Sequence, residues 1–196
     1  RSVTIADEMR EQLIKMYPNF PKEKIQRIYN PFDFGEITNK SDDLSSLSTD
    51  EKSLLADNYI CTVSRVDEGQ KDITTLINAY EDLWKSKKIT EKLYVIGDGS
   101  SKKDLIKLVK EKNLEERILF LGNKANPFVW MKHSKIFILS SKYEGLPTVL
   151  IEAMTCNTFI ISSSCKTGPK EILCDSKCGD LFEVGNVDEL SNKISF

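Results

Sequence analysis

The stretch Glu144-Gly145-Leu146-Pro147-Thr148-Val149-Leu150-Ile151-Glu152 follows the apolar run Ile136-Phe137-Ile138-Leu139 and is the most informative part of this chain. The apolar run predicts a buried strand, and the apolar spacing over residues 149–154 predicts a helix. Pro147 suits the first turn of a helix, where no backbone donor is lost. Gly145 lets a ligand approach the backbone closely. We therefore expect a strand-to-helix junction with a carboxylate in the turn and another on the helix.

Such a junction has the chemistry of a nucleotide site. The N-terminus of a helix carries partial positive charge and attracts phosphate. Glu152 would lie in the second turn of the helix, where its carboxylate can accept hydrogen bonds from two neighbouring hydroxyls, as on a ribose. Phosphate beside a ribose indicates a nucleotide.

The region from residue 58 onward alternates between apolar runs and helical patterns. Strands are expected at 59–63, 93–96, 118–121, 136–139, 159–161 and 181–184, and helices at 73–84, 105–109, 128–131, 148–155 and from 187. This order predicts an α/β fold, a Rossmann-like parallel sheet with helices on both faces. Right-handed crossovers bring the carboxyl ends of the strands to one edge, where ligands of such sheets bind. The groups expected at that edge are Ser64-Arg65, Gly97, Gly122 and Ser140-Ser141.

The first third of the chain has a different pattern. Residues 2–17 predict a helix with Thr4 as its cap, and residues 25–29 predict a short strand. Residues 34–49 are polar and rich in Ser and Asp, which is typical of a linker or flexible loop.

Composition excludes several classes of function. The formal net charge of −2 indicates no nucleic-acid partner. No apolar run reaches the roughly 18–20 residues that a transmembrane helix needs, and the chain starts without a recognisable signal peptide. The five cysteines and the single histidine, His133, are poorly spaced for zinc, so free thiols in the cytoplasm are expected. With one histidine the chain offers little for a Ser-His-Asp triad.

The stretch from Glu144 to Glu152 resembles the Glu-x7-Glu signature of retaining, nucleotide-sugar-dependent glycosyltransferases of the GT-B fold, the glycosyl transferases group 1 family. The resemblance extends over nearly the whole chain. Further matching elements are Asn30-Pro31-Phe32-Asp33, Ser64-Arg65-Val66 with Lys71, Gly97-Asp98-Gly99, and Thr167-Gly168-Pro169-Lys170-Glu171. Ser64 replaces the glycine usual in the family, and the Arg65-to-Lys71 spacing is long.

The resemblance implies a role for each candidate residue. Arg65 and Lys71 would hold the donor diphosphate and stabilise the charge that develops on it, and Glu144 would face the transferred sugar. These three are the predicted catalytic residues. The predicted donor-binding residues are Arg65, Lys71, Gly97, Gly145, Leu146, Thr148 and Glu152. The family's reaction needs no metal or other cofactor, so none is expected, and a UDP-sugar is the favoured donor.

The resemblance also implies that the chain represents about half of a two-domain enzyme. Residues 1–33 would be the end of an N-terminal domain and the interdomain connection. Residues 34–56 would be a polar linker and short helix, and residues 57–196 the C-terminal donor-binding domain, truncated at its end. A glycan or lipid-linked acceptor would bind through the missing domain, in the cytoplasm or at the inner face of a membrane.

Two alternative functions remain open on the sequence alone. One is a GT-B epimerase acting on UDP-N-acetylglucosamine, which would release an epimerised sugar instead of transferring it. The other is a non-catalytic partner subunit that only binds a nucleotide sugar.

Overall fold

The computed structural model describes residues 1–195, which form a two-stranded and a six-stranded parallel sheet with flanking helices. The strands are β1 (Ser2–Thr4), β2 (Ile25–Arg27), β3 (Tyr59–Val63), β4 (Lys92–Ile96), β5 (Ile118–Gly122), β6 (Ile136–Leu139), β7 (Phe159–Ser163) and β8 (Asp180–Phe182). The helices are α1 (Asp7–Met16), α2 (Phe34–Asp42), α3 (Thr49–Leu55), α4 (Glu68–Lys71), α5 (Ile73–Lys85), α6 (Lys102–Glu111), α7 (Pro127–His133), α8 (Thr148–Thr155), α9 (Pro169–Ile172) and α10 (Val187–Ile194), with a 3-10 helix at Lys22–Lys24.

The six-stranded sheet has the order β5-β4-β3-β6-β7-β8, with all neighbours parallel. The chain builds outward from β3 to β5, returns to the other side of β3, and builds outward again to β8. The order therefore reverses between β3 and β6, and the loops that follow these two strands meet there at the carboxyl edge of the sheet; we call this junction the crevice. The predicted Rossmann-like α/β fold is confirmed.

Both faces of the sheet are buried, as the continuous apolar runs predicted. Along β3, Tyr59 and Cys61 belong to one core cluster and Ile60 to the other. The rings of Tyr59 and Tyr94 stack with their centroids 4.4 Å apart, and Trp130 packs edge-on against Tyr94 at 6.1 Å. The Tyr59 hydroxyl donates to the Trp130 carbonyl at 2.8 Å, which fixes α7 on this face.

The start of the chain differs from the prediction of a single helix over 2–17. Ser2–Thr4 is a strand that pairs in parallel with Ile25–Arg27, and the helix begins only at Asp7, after Ala6 at the N-cap. Thr4 is therefore not a helix cap. The strand Ile25–Arg27 also ends two residues earlier than expected. The β-branched residues of this segment favour a strand once a partner strand lies beside it. Only the fold supplies that partner.

The prediction of a flexible loop over 34–49 was wrong for its first part, because Phe34–Asp42 forms helix α2. The Asp33 carboxylate caps this helix by accepting from the Glu36 N–H at 2.8 Å. Ile37 and Ser41 are buried on the side that packs against α7. The Asp-x-x-Glu pattern of a helix start was present in the sequence, but the polar composition concealed it.

The turn after β4 depends on a close approach between two backbones. Gly97 has a φ of +133°, and a Cβ atom at this position would lie 1.9 Å from the Ser64 carbonyl oxygen. A Cβ at Gly99 would lie 2.3 Å from the Val66 carbonyl oxygen. These two glycines therefore allow the β4 turn to pack directly on the loop that follows β3.

We expect Gly97→Ala to lower the free energy of unfolding by about 3 kcal/mol or more, because the new methyl group meets backbone in a conformation that L residues avoid. Gly185→Ala is the matched control. Gly185 also has a positive φ, of +76°, but a Cβ there meets nothing within 4 Å, so about 1–2 kcal/mol of backbone strain is expected. Urea denaturation of both variants measures the difference, and equal losses would show that contact with Ser64 is unimportant.

Candidate functional site

The crevice between β3 and β6 contains a buried ion pair. Lys71 Nζ lies 2.5 Å from Glu144 Oε1, and the two side chains are only 14% and 8% exposed. Lys71 ends the short helix α4, whose start is capped by the Asp67 carboxylate. Asp72 follows with a left-handed φ of 49°, which separates α4 from α5. The chain thus turns sharply enough to place the Lys71 ammonium opposite the β6–α8 loop.

Further hydrogen bonds hold Glu144 in its position. The Ser141 hydroxyl donates to Glu144 Oε1 at 2.6 Å, and the Thr167 hydroxyl donates to the Glu144 backbone carbonyl. The Ser140 hydroxyl donates to the Lys71 carbonyl at 2.8 Å, so the loops on the two sides of the crevice are joined. One carboxylate oxygen, Oε1, receives both strong donors, whereas from the described part of the chain Oε2 receives only a long contact from Gln70 at 3.5 Å.

Arg65 lies at the same edge of the sheet but not in the ion pair. Its side chain is 66% exposed, with Nη2 at 3.0 Å from Gln70 Oε1 and 3.7 Å from Asp67 Oδ2. Arg65 and Gly97 line a cavity of about 350 Å³. This cavity lies between the carboxyl ends of β3 and β4 and is also lined by Val63, Ser64, Ile96, Asp98, Asn123, Lys124 and Pro127.

The residues around the N-terminus of α8 face different elements and cavities. Pro147 is the N-cap residue rather than part of the first turn, and no side chain caps the helix. Leu146 is buried and lines an apolar cavity of about 630 Å³. Gly145 faces α1, where a Cβ would lie 3.5 Å from the Met9 methyl group. Thr148 lines a third cavity, of about 320 Å³, together with Glu152.

Glu152 has a different environment from Glu144. Within residues 1–195, no side chain or backbone group donates a hydrogen bond to its carboxylate, and burial raises its pKa. Its cavity is also lined by Asn30, Phe32, Asp33, Glu36 and Lys40, which lie in or just before α2. A half-buried carboxylate without a protein donor is well suited to accept from hydroxyls of a bound molecule.

The structure therefore brings Lys71 and Glu144 into contact, places Arg65 beside them through Gln70, and sets Glu152 in a separate cavity. The sequence placed Ser141 at this edge and Thr167 in a family element without giving either a role, and it did not identify Gln70. Gln70 precedes a candidate lysine, but nothing in its residue type indicated that it would reach Arg65 and Glu144. Only the tertiary arrangement, in which the loop after β3 lies against the loop after β6, brings Gln70 to both residues.

A family model described as "Glycosyl transferases group 1" matches residues 47–196. The matched region includes Arg65, Lys71, Glu144 and Glu152, and it begins just before α3.

Two curated relatives match most of this chain. A Campylobacter jejuni protein named N-acetylgalactosamine-N,N'-diacetylbacillosaminyl-diphospho-undecaprenol 4-alpha-N-acetylgalactosaminyltransferase is 34% identical over 180 residues, which are 92% of this chain and 46% of the relative. An uncharacterized glycosyltransferase of Methanocaldococcus jannaschii is 32% identical over 178 residues, which are 88% of this chain and 42% of the relative. The chain thus spans less than half the length of these relatives.

Among solved structures, the Anabaena protein HepE in complex with UDP superposes with a TM-score of 0.80 at 23% identity. The match covers 97% of this chain and 51% of HepE. At this identity the likeness concerns the fold.

The burial of Glu152 predicts a specific dependence of stability on pH. Its pKa is raised in the folded state, so its contribution to the free energy of unfolding falls as the pH rises above the unfolded-state value. We expect Glu152→Gln to be more stable than wild type at about pH 7.5, by less than about 1 kcal/mol, and to lose this advantage near pH 4. Urea denaturation at both pH values, with the exposed Glu115→Gln as control, measures the effect. A difference that does not depend on pH would contradict it.

Proposed function

Because this chain belongs to the glycosyl transferases group 1 family, we propose that it carries the donor site of a retaining hexosyltransferase. The enzyme would transfer a sugar from a nucleotide sugar to a glycan or lipid-linked acceptor, in polysaccharide or glycoconjugate biosynthesis. The observation that carries this proposal is the Lys71–Glu144 ion pair at the crevice between β3 and β6, with Arg65 at the same edge. This arrangement offers two cations to phosphate and one carboxylate to hydroxyls.

Sugar transfer first requires that the negative charge on the leaving diphosphate be stabilised. When the bond between the anomeric carbon and the diphosphate oxygen breaks, negative charge collects on the diphosphate. Arg65 can fork onto two phosphate oxygens, whereas Lys71 acts as a compact charge. Cations fixed before the reaction stabilise this charge without having to reorganise, which is the largest contribution in many enzymes. The N-terminus of α8 adds its dipole.

Lys71 could bind a diphosphate without giving up Glu144. The ammonium has three donors, so it can keep Glu144 Oε1 and still reach a phosphate oxygen. Within residues 1–195, Glu144 Oε2 has only the 3.5 Å contact with Gln70, and it is the oxygen that can accept from a sugar hydroxyl. Glu144 would thus position the sugar next to the diphosphate held by Lys71.

Glu152 would hold the ribose of the nucleotide. Burial raises its pKa, and its carboxylate borders a cavity with no protein hydrogen-bond donor within the described residues. Two ribose hydroxyls would satisfy the carboxylate and offset its desolvation. Gly97, Gly145 and Thr148 would lie along the donor as backbone or hydroxyl neighbours, and Leu146 would support the loop from behind.

We favour a UDP-sugar as the donor and no metal or other cofactor, since Arg65, Lys71 and the α8 N-terminus can supply the positive charge. HepE was solved with UDP, so this fold accommodates that nucleotide. The name of the Campylobacter jejuni relative supports N-acetylgalactosamine as one sugar to test.

We also propose the domain division that the family resemblance implies. Residues 57–196 would be the donor-binding domain, residues 1–33 would belong to a preceding domain and its connection, and the acceptor would bind that domain. The helices of residues 34–56 would connect the two. No helix within residues 1–195 is long and apolar enough to cross a membrane. A cytoplasmic location, or one at the inner membrane face, is supported by five cysteines without disulfides in the part of the chain described.

Arg65→Ala is expected to weaken UDP binding by about tenfold to a hundredfold while leaving uridine binding nearly unchanged, because only phosphate loses a charge-assisted contact. Arg117→Ala is the control of equal charge. Arg117 lies over the Trp84 ring, away from the crevice. Isothermal titration calorimetry with UDP and uridine provides the measurement. If both ligands lost affinity equally, Arg65 would be structural.

The two carboxylates of the motif are expected to affect different parts of the donor. Glu152→Gln should weaken UDP and UDP-N-acetylgalactosamine together, by about three- to thirtyfold, because both contain the ribose. Glu144→Gln should leave UDP affinity nearly unchanged but remove most of the additional affinity for the sugar-bearing donor. Gln is preferred to Ala at position 144, since deleting the side chain would leave Lys71 buried and unpaired. Equal losses for both ligands in both variants would contradict this assignment.

A further inference from the structure

Gln70 lies between two charged groups of the proposed donor site and contacts both. Its Oε1 accepts from Arg65 Nη2 at 3.0 Å. Its Nε2 donates to the Tyr143 carbonyl at 3.3 Å and lies 3.5 Å from Glu144 Oε2. The carbonyl end of the amide thus faces the cation and the NH₂ end faces the carboxylate. The reverse orientation would bring donor against donor and acceptor against acceptor, so the surrounding charges determine how the amide points.

The backbone of Gln70 is fixed from both sides of the crevice. Its N–H donates to the Asp67 carbonyl at 3.2 Å within the turn of α4. Its carbonyl accepts from the Lys142 N–H at 2.7 Å, across to the β6–α8 loop. A side chain that starts from so constrained a position loses less conformational freedom when it binds its partners.

Gln70 acts on the oxygen of Glu144 that the rest of the protein leaves available. Lys71 and Ser141 both donate to Oε1, at 2.5 Å and 2.6 Å. Among residues 1–195, only the Gln70 amide is near Oε2, at a distance that gives a weak hydrogen bond. A sugar hydroxyl that donates to Oε2 would therefore lie next to the Gln70 NH₂ group, which can donate to the same hydroxyl.

We propose that Gln70 is a positioning residue that aligns the Arg65 guanidinium and Glu144 Oε2 relative to each other. The diphosphate and the sugar of one donor then bind at the same time, each next to its own partner. This inference rests on the proposed function. It extends the set of donor-site residues to a side chain that is uncharged and that carries no part of the chemistry itself.

The charge distribution explains why an amide is required at this position. A carboxylate at position 70 would attract Arg65 but would lie close to Glu144, and like charges at that separation disfavour double ionisation. An aliphatic side chain would fill the space but align neither group. The charged groups that contact or flank Gln70 are Arg65, Asp67, Lys71 and Glu144.

The test compares Gln70→Met and Gln70→Glu with Lys142→Ala. Lys142 Nζ donates to the Glu68 carbonyl at 3.1 Å and so joins the same two loops, but it contacts neither Arg65 nor Glu144. Calorimetric titration of the 196-residue chain with UDP and with UDP-N-acetylgalactosamine gives the ratio of the two dissociation constants, which reports the contribution of the sugar. UDP-N-acetylglucosamine, UDP-galactose and UDP-glucose are titrated in parallel, and the sugar that binds wild type most tightly is used.

Gln70→Met is expected to reduce the sugar contribution about three- to tenfold, which corresponds to one hydrogen bond, with UDP affinity within about threefold of wild type. Gln70→Glu should show a larger loss, because a second carboxylate then lies close to Glu144. Lys142→Ala should leave the ratio unchanged. A role limited to holding the loops together would weaken UDP and the nucleotide sugar alike and would appear equally in Lys142→Ala.

The outcomes separate this inference from the function on which it rests. If wild type gains affinity from the sugar and Gln70→Met keeps the full gain, the positioning role is overturned and the donor site stands. If Lys142→Ala reproduces both Gln70 variants, the positioning role is also overturned. If wild type binds neither UDP nor any of the four nucleotide sugars, the proposed function is overturned, and the inference with it. If the sugar adds no affinity in wild type, the assignment of Glu144 and the inference fail together.

Discussion

The ion pair between Lys71 and Glu144 joins the two halves of the sheet where the strand order reverses. Such a pair is a poor device for stability alone, because desolvating each charge costs several kcal/mol and mutual attraction repays this only with excellent geometry. Here the repayment is assisted by the Ser141 hydroxyl. The proposed donor diphosphate would account for a charged pair at this place better than stability does. Removing either partner would leave the other buried and uncompensated.

The crevice itself results from backbone constraints rather than from the charges. Parallel strands bring their carboxyl ends to one edge, and the return of the chain from β5 to β6 leaves the β3 and β6 loops facing each other. Gly97 and Gly99 then let the β4 turn press onto the loop after β3. That packing supports the backbone of the segment from Arg65 to Lys71. The two cations are therefore held by main-chain contacts as well as by their own hydrogen bonds.

The two carboxylates of the Glu144–Glu152 stretch show how position in the fold separates identical residue types. Glu144, in the loop, is paired and hydrogen-bonded. Glu152, on α8, is desolvated without a protein donor in the described residues, and its pKa is raised. One carboxylate is thus engaged by neighbouring donors, whereas the other is half-buried with none in the described residues. We infer that this division allows a single short motif to contact two different parts of one ligand.

The sequence by itself determined the α/β fold, the family, and most element positions from residue 58 onward, because apolar periodicity and turn residues are local properties. The family resemblance also suggested Arg65, Lys71, Glu144 and Glu152 as candidates. Tertiary structure alone decided that Lys71 pairs with Glu144 and that Gln70 links Arg65 to the same carboxylate, because the contacts of Lys71 and Gln70 with Glu144 join residues more than 70 positions apart. It also decided that Ser2–Thr4 is a strand and Phe34–Asp42 a helix. A strand needs a partner and a polar helix needs a surface to pack on, and neither can be read from the segment's own residues.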